Sequence, residues 1–306
     1  MVNSEGATVG CIGLGNMGAP MATRLLERPG TLVVCDARLE ALDPFTSAGA
    51  VAVPTPAEVA ASATVISVTV LDDAQVRDVV SGPHGILAAA RPGTVIAVHS
   101  TISDVTATEL AGQCSARGVD LVDAPVSGGA VGARQGRLAV MVGGSDEAFE
   151  AVREPFGHFA ELVIHAGPVG AGTRMKLARN LLHFVSFTAA CEAQRLAEAA
   201  GIDIRKLGKI VRHTDAITGG PGAIMLREKI APLEDGDPWH SILSRVRDLG
   251  EKDLALALDL GARIDVDLPL THIALTGLGP ELGVGTGTVA DQFHLDQKET
   301  HDPQEQ

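Results

Sequence analysis

The 306-residue sequence contains no tyrosine, one tryptophan and seven phenylalanines, so aromatic side chains make up only 3% of it. The lack of tyrosine excludes any mechanism that rests on a catalytic Tyr, including the Tyr-x-x-x-Lys pattern of one class of oxidoreductases. Cysteine is scarce too. Cys11, Cys35, Cys114 and Cys191 are far apart and form no Cys-x-x-Cys pair, which argues for small core hydrophobes in two expected strands and a long helix. The histidines show no ligand spacing either, so no metal site is expected. Basic residues number 24 against 38 acidic ones, giving a net charge of −14, and they are scattered, which argues against a nucleic-acid or anionic-membrane partner. No apolar run approaches the roughly 18 residues of a spanning helix, and Met1–Gly6 lacks a basic start and an apolar core. A cytoplasmic protein is expected.

What is present begins with an ordinary globular composition, 45% apolar and 20% charged, at a length that suits two domains better than one. Thr8 to Ile12 is a short apolar run that meets Gly13-Leu14-Gly15-Asn16-Met17-Gly18 and then an expected helix, Ala19 to Glu27. In this strand, Gly-x-Gly-x-x-Gly, helix pattern the first glycine allows the tight turn and the second lets the backbone approach a pyrophosphate. The third lets helix pack on strand, and the phosphates would rest on the free N–H groups of the helix start. A second strand, Thr31 to Cys35, ends in Asp36, where an acidic side chain can accept hydrogen bonds from the adenosine ribose hydroxyls. Asp36 favours NAD over NADP, because its charge repels a 2′-phosphate, although Arg38 two residues on offers a guanidinium that can swing toward one. A plain surface-turn aspartate is the bland alternative.

Strand and helix then alternate in a doubly wound pattern: helix Ala37–Ser47, strand-like Ala50–Val53, helix Ala57–Ala61, strand Thr64–Thr69, helix Asp73–Val80, strand Thr94–Val98 and helix Asp104–Arg117. Ligands in such sheets lie beyond the carboxyl ends of the strands, where Val70-Leu71-Asp72 and His99-Ser100-Thr101-Ile102 fall. Val70, Leu71, Ser100 and Thr101 are therefore candidate cofactor contacts; Ser100 can equally cap the following helix. His99 has no evident catalytic partner and reads as structural.

The next strand, Val119–Val122, empties into Asp123-Ala124-Pro125-Val126-Ser127-Gly128-Gly129. A Ser-Gly-Gly turn at a strand end can aim successive N–H groups at one point and hold a carboxylate; a flexible crossover is the alternative. Strands Ala139–Val142 and Leu162–His165 close the sheet. The chain then reaches Gly167-Pro168-Val169-Gly170-Ala171-Gly172 and a helix from Thr173 to Ala200 with no Pro or Gly until Gly201, on the order of 40 Å long at about 1.5 Å per residue. Lys176 and Asn180, four apart, leave one face of its first two turns. Taken alone, they read as a solvent-facing Lys and an Asn bonded to its own backbone.

Four stretches in this order resemble the β-hydroxyacid dehydrogenase family, which includes 3-hydroxyisobutyrate dehydrogenase and several semialdehyde reductases: Gly10–Ala22, Asp123–Leu138, Gly167–Asn180 and Lys252–Ala257. The resemblance implies an α/β Rossmann dinucleotide-binding domain (1–166), a long interdomain helix (167–200) and an all-α C-terminal domain (201–295) that forms a homodimer or homotetramer. It implies NAD, with NADP left open, bound by Gly13, Leu14, Gly15, Asn16, Met17 and Gly18. It further implies a small carboxylate substrate held by Ser127, Gly128 and Gly129, with Lys176 as catalytic acid/base, Asn180 orienting the substrate and Lys252 reaching back toward the site. An alcohol oxidation needs a base for the hydroxyl proton, so Lys176, ordinarily near pKa 10.4, must have its pKa lowered. The implied activity is hydride transfer between the nicotinamide and a 3-hydroxy acid or semialdehyde, the alternatives being an idle dinucleotide-binding sensor or scaffold, or an imine reductase-like activity.

Departures are visible. Arg179 stands where many relatives carry the first of two Asn, Arg24 replaces a frequent Asn, and Val98 takes the place of an Asp before the Ser-Thr turn. The 6-phosphogluconate branch is disfavoured by Arg179 and by length, and the imine reductase branch, which replaces the Lys, by Lys176. Beyond Gly201, helices are expected at Ile202–His213, Pro238–Leu260 and Leu270–Leu278, with a break at Gly219–Gly222, Trp239 as a packing or interface anchor, and a mobile tail from Asp296. Gly283–Gly287 resembles a phosphate loop by composition only.

Overall fold

The computed structural model describes residues 6–225, 227 and 231–290; the end of the expected helical domain and the tail from Asp296 lie outside the described residues. The chain divides after Asn180 into two compact units.

The first unit alternates β1 (Val9–Ile12), α1 (Gly18–Leu25), β2 (Leu32–Cys35), α2 (Asp43–Ser47), β3 (Val51–Ala52), α3 (Pro56–Ser62), β4 (Val65–Val68), α4 (Asp73–Ser81), β5 (Val95–Val98), α5 (Asp104–Ser115) and β6 (Asp120–Asp123). It continues through β7 (Val126–Ser127), α6 (Gly129–Arg134), β8 (Leu138–Gly143), α7 (Asp146–Gly157) and β9 (Ala160–Gly167). The nine strands form one sheet in the order β3-β2-β1-β4-β5-β6-β8-β7, with β9 added on β8. From β3 to β6 every pairing is parallel, whereas β8 runs antiparallel to β6 and β7.

β1, β2, β4 and β5 are buried along their whole length, as parallel strands covered on both faces must be. Successive residues of β2 serve opposite cores, Leu32 and Val34 packing with Met21, Leu25 and Phe156 on one face, Val33 and Cys35 with Val59, Val76 and Leu110 on the other. This is the Rossmann arrangement, and the order reverses at β1/β4, so the carboxyl ends of those strands open onto one crevice. Side chains start the helices sharply: Thr55, Asp72, Ser103 and Ser145 each accept an amide hydrogen bond from the first turn that follows.

The expected helix 37–47 is not continuous. Asp36 turns the chain by accepting the Arg38 amide, a 3-10 turn follows at Leu39–Ala41, and Pro44, which lacks an N–H, is accommodated only in the first turn of the short α2. The crossover after β6 is ordered into β7 and α6, and α7, which the sequence reading passed over, buries Ala148, Val152 and Phe156 at four-residue intervals.

The long helix α8 (Ala171–Ala199) is shared between the units. Among the described residues the second unit is otherwise helical, with α9 (Ile204–Thr218), α10 (His240–Arg263) and α11 (Pro269–Leu282). Helix α11 passes the expected stop at Gly279-Pro280 and ends at Gly283, whose left-handed backbone provides the cap. In the glycine run that follows, Gly287 donates its amide to buried Glu251 at 2.9 Å. Cys11, Cys35 and Cys114 are core residues, as their apolar neighbours suggest, but Cys191 is exposed on α8. Burial pushes the Cys11 and Cys114 thiols up to about 12. Among the described residues no helix is long and apolar enough to cross a membrane, and no cluster of metal-ligating side chains occurs.

Candidate active site

The loop Gly13–Gly18 leaves the carboxyl end of β1, and its glycines are needed for different reasons. Gly13 has a left-handed φ of 89° and its missing side chain would collide with the Thr69 carbonyl; a Cβ on Gly18 would strike the Gly13 carbonyl. Gly15 differs, because nothing lies within 4 Å of where its side chain would be. The fold does not demand glycine there, so the space above Gly15 is room for something other than protein. No side chain caps α1; Ala19 donates to the Gly15 carbonyl and Pro20 has no N–H, so an anion here would meet the amides of the loop that leads into the helix. These features fit a dinucleotide pyrophosphate. Leu14 is buried, Asn16 exposed and Met17 half-buried.

Asp36 sits at the end of β2 and grips that loop. Its Oδ2 accepts the Leu14 amide at 2.6 Å, while Oδ1 accepts the amide of Arg38 at 2.8 Å and its guanidinium at 3.2 Å. Burial raises the carboxyl's pKa, but the hydrogen bonds from Arg38 and Leu14 outweigh it and hold Asp36 below the usual carboxylate range. Arg38 is thus paired with Asp36, its guanidinium also donating to the Leu14 carbonyl at 3.4 Å. Oδ2, which accepts only one of these bonds, retains acceptor capacity for a hydroxyl.

The β4 and β5 ends are tied together by Ser100, whose hydroxyl donates to the Val70 carbonyl at 2.6 Å and accepts the Val70 amide at 3.0 Å. The helix cap that the sequence left open for Ser100 falls to Ser103. Leu71 projects 80% exposed from the loop so braced, and Thr101, which follows Ser100, is exposed. His99 is fully committed inside. Nδ1 faces the Ala124 carbonyl at 2.7 Å, Nε2 the Ser67 hydroxyl at 3.0 Å, Phe156 and Phe159 pack edge-on, and burial pulls its pKa down to about 4.

Ser127 lies in β7 opposite Ala139. Gly128 and Gly129 follow with φ of 124° and 64°, and α6 starts without a side-chain cap. Gly129 has open space where a side chain would be.

Four residues before Ser127, the buried Asp123 performs a task that the sequence reading did not assign. Its Oδ1 accepts the Gly170 amide and its Oδ2 the Thr173 amide, both at 2.6 Å, so β6 caps α8 from 47 and 50 residues away. Burial raises the Asp123 carboxyl pKa, with the amides of Thr173 and Gly170 opposing. One turn further along α8, Lys176 is buried and makes no side-chain hydrogen bond or ion pair among the described residues. Burial first, then the charge of Arg179, holds its pKa below the ordinary 10.5. Asn180 is half-buried on the same face and its Oδ1 accepts Arg179 Nη1 at 3.3 Å. Lys252 lies in the second unit, exposed on α10 and paired with Asp253 at 3.0 Å.

Residues 8–167 match the family model for the NAD binding domain of 6-phosphogluconate dehydrogenase, and residues 170–278 match that for the NAD-binding region of NADP-dependent 3-hydroxyisobutyrate dehydrogenase. The chain belongs to the β-hydroxyacid dehydrogenase family. Like other β-hydroxyacid dehydrogenase family members it is an NAD(P)-dependent oxidoreductase. It is 56% identical over 280 residues to an uncharacterised oxidoreductase of Mycobacterium tuberculosis H37Rv, covering 92% of this chain and 95% of that one. A crystal structure of a protein described as an oxidoreductase from Mycobacterium avium 104 is 57% identical, with a TM-score of 0.87 over 90% of this chain and 99% of that one. The Mycobacterium tuberculosis 3-hydroxyisobutyrate dehydrogenase, solved with L-serine, is 29% identical, with a TM-score of 0.64 over 94% of this chain and 99% of that one.

Proposed function

We propose that the protein transfers hydride between NAD and a small 3-hydroxy acid or its semialdehyde, with Lys176 as the general acid/base. The observation that carries this reading is Lys176 itself: a side chain with little exposure, no hydrogen-bond or ion-pair partner among the described residues and a pKa lowered by burial, on the helix face it shares with Asn180. A largely buried lysine without a partner costs stability, and such groups concentrate where a site uses them. When bound, the nicotinamide supplies the hydride acceptor or donor. Lys176 Nζ takes the substrate hydroxyl proton in oxidation and returns it to the carbonyl oxygen in reduction. Asn180 orients the reacting oxygen, and Ser127, Gly128 and Gly129 hold the carboxylate. Gly13–Gly18 cradle the pyrophosphate, Asp36 receives the ribose hydroxyls and disfavours a 2′-phosphate, and Val70, Leu71, Ser100 and Thr101 line the cofactor's edge. Lys252, in the second unit, keeps the cofactor-side role that the family resemblance implies.

The division of labour in this reading follows a dinucleotide-binding domain over 1–166, a connecting helix over 167–200 and a helical domain from 201. The assembly is a homodimer or homotetramer through the helical part, where Leu181, Phe184 and Phe187 of α8 are each more than half exposed, an apolar surface that favours a covering partner.

The test is nicotinamide absorbance with NAD and NADP against a panel of 3-hydroxy acids and short semialdehydes, beside Lys176→Ala. Turnover should fall by about 10²–10⁴-fold in the variant while cofactor affinity is kept. Equal turnover in the variant would overturn the role given to Lys176.

A further inference from the structure

Arg179 stands one turn after Lys176 on α8, a spacing that puts the two side chains on neighbouring parts of one helix surface. Its side chain is exposed and its guanidinium donates to the amide oxygen of Asn180 at 3.3 Å. Its charge is also felt by Lys176. No carboxylate of the protein pairs with Arg179 among the described residues, although nearby Arg174 pairs with Asp104 at 3.2 Å. In a chain with 38 acidic and 24 basic residues, two adjacent cations with no acid between them are mutually unfavourable until an anion arrives.

That anion is surplus to a monocarboxylic substrate. On the reading proposed above, on which this inference rests, the carboxylate beside the reacting carbon belongs to Ser127, Gly128 and Gly129, and Lys176 is occupied with the hydroxyl proton. We infer that Arg179 binds a second carboxylate, and that the substrate class is a hydroxy-dicarboxylic acid or the corresponding semialdehyde. The planar guanidinium fork suits a carboxylate in two-point contact, which an ammonium cannot reproduce. Oxidation is otherwise unchanged: hydride leaves the carbinol carbon for the nicotinamide, the hydroxyl proton goes to Lys176, and the distal carboxylate takes no part in bond making.

The experiment compares kcat/KM for pairs of 3-hydroxy acids of equal chain length, one ending in a methyl and one in a carboxylate, in wild type, Arg179→Gln and Arg179→Lys. Wild type should favour the dicarboxylate by about 10- to 100-fold, the range of a charge-assisted contact. Arg179→Gln should bring the ratio near one, chiefly through KM, and Arg179→Lys should fall between. A wild type that handles the methyl-ended acid as well as its partner, or an Arg179→Gln enzyme that keeps the preference, would overturn the inference while leaving the dehydrogenase reading intact. Intact cofactor binding with no turnover of either member would overturn both.

Discussion

Asp123 and Thr173 are joined by a 2.6 Å hydrogen bond between a buried carboxylate and the first turn of α8. Since the same carboxylate holds the Gly170 amide at 2.6 Å, the sheet and the lysine-bearing helix are locked through one side chain. Asp123→Ala leaves two buried amides without acceptors, each worth about 1–3 kcal/mol. We expect a loss of about 2–5 kcal/mol in denaturant unfolding and a kcat at least about tenfold lower. Asp123→Asn keeps one acceptor and should fall between. Unfolding curves that superimpose for wild type and Asp123→Ala would show that the cap contributes nothing.

The glycine loop separates fold from function. Gly13→Ala puts a side chain against the Thr69 carbonyl at a left-handed φ, so it should destabilise by more than about 1 kcal/mol and lower the melting temperature. Gly15→Ala meets open space at an ordinary φ and should leave the melting temperature of the free protein within about 1–2 °C, while weakening NAD binding by about tenfold or more because the methyl group occupies the pyrophosphate's approach. Cofactor titration by nicotinamide fluorescence alongside thermal melts decides it. If Gly15→Ala binds NAD as tightly as wild type, the pyrophosphate is not seated on this loop.

Much of this site was legible because its signals are local. Gly13, Gly15 and Gly18 mark a turn whose three requirements differ by position, and Asp36 follows at the tip of the next strand. What escaped is non-local. Asp123 meets its amides 47 and 50 residues away, and Glu192, buried on α8, caps α11 through the Leu270 and Thr271 amides at 2.7 and 3.0 Å, 78 and 79 residues away. An acid that caps a distant helix carries the same letters as an exposed one; only the folded chain shows which amides it meets. Helix α7 is a different kind of miss. Its signals are local, Ser145 as cap and the Ala148, Val152, Phe156 spacing, but they lie between two apolar strands that dominate the pattern. At 37–47 Pro44 overrides the helix propensity of the residues around it.

Lys176 gives the sharpest test of cost against use. Its folded pKa is depressed by burial and by Arg179, so the charged form is penalised in the native state and not in the unfolded one. The penalty is full below the folded pKa. It is relieved as pH rises through that value toward the ordinary 10.5, because over that interval the unfolded chain binds more protons. Lys176→Met, similar in length and apolar, should therefore be more stable than wild type at neutral pH, by about 0.5–2 kcal/mol, and the gain should shrink as pH is raised toward 10. The same variant should lose turnover. Denaturant unfolding at pH 7, 8.5 and 10 measures the trend. A variant less stable than wild type at pH 7, or a gain that grows with pH, would mean that the lysine finds a compensating partner in the folded protein and is not held there for proton transfer.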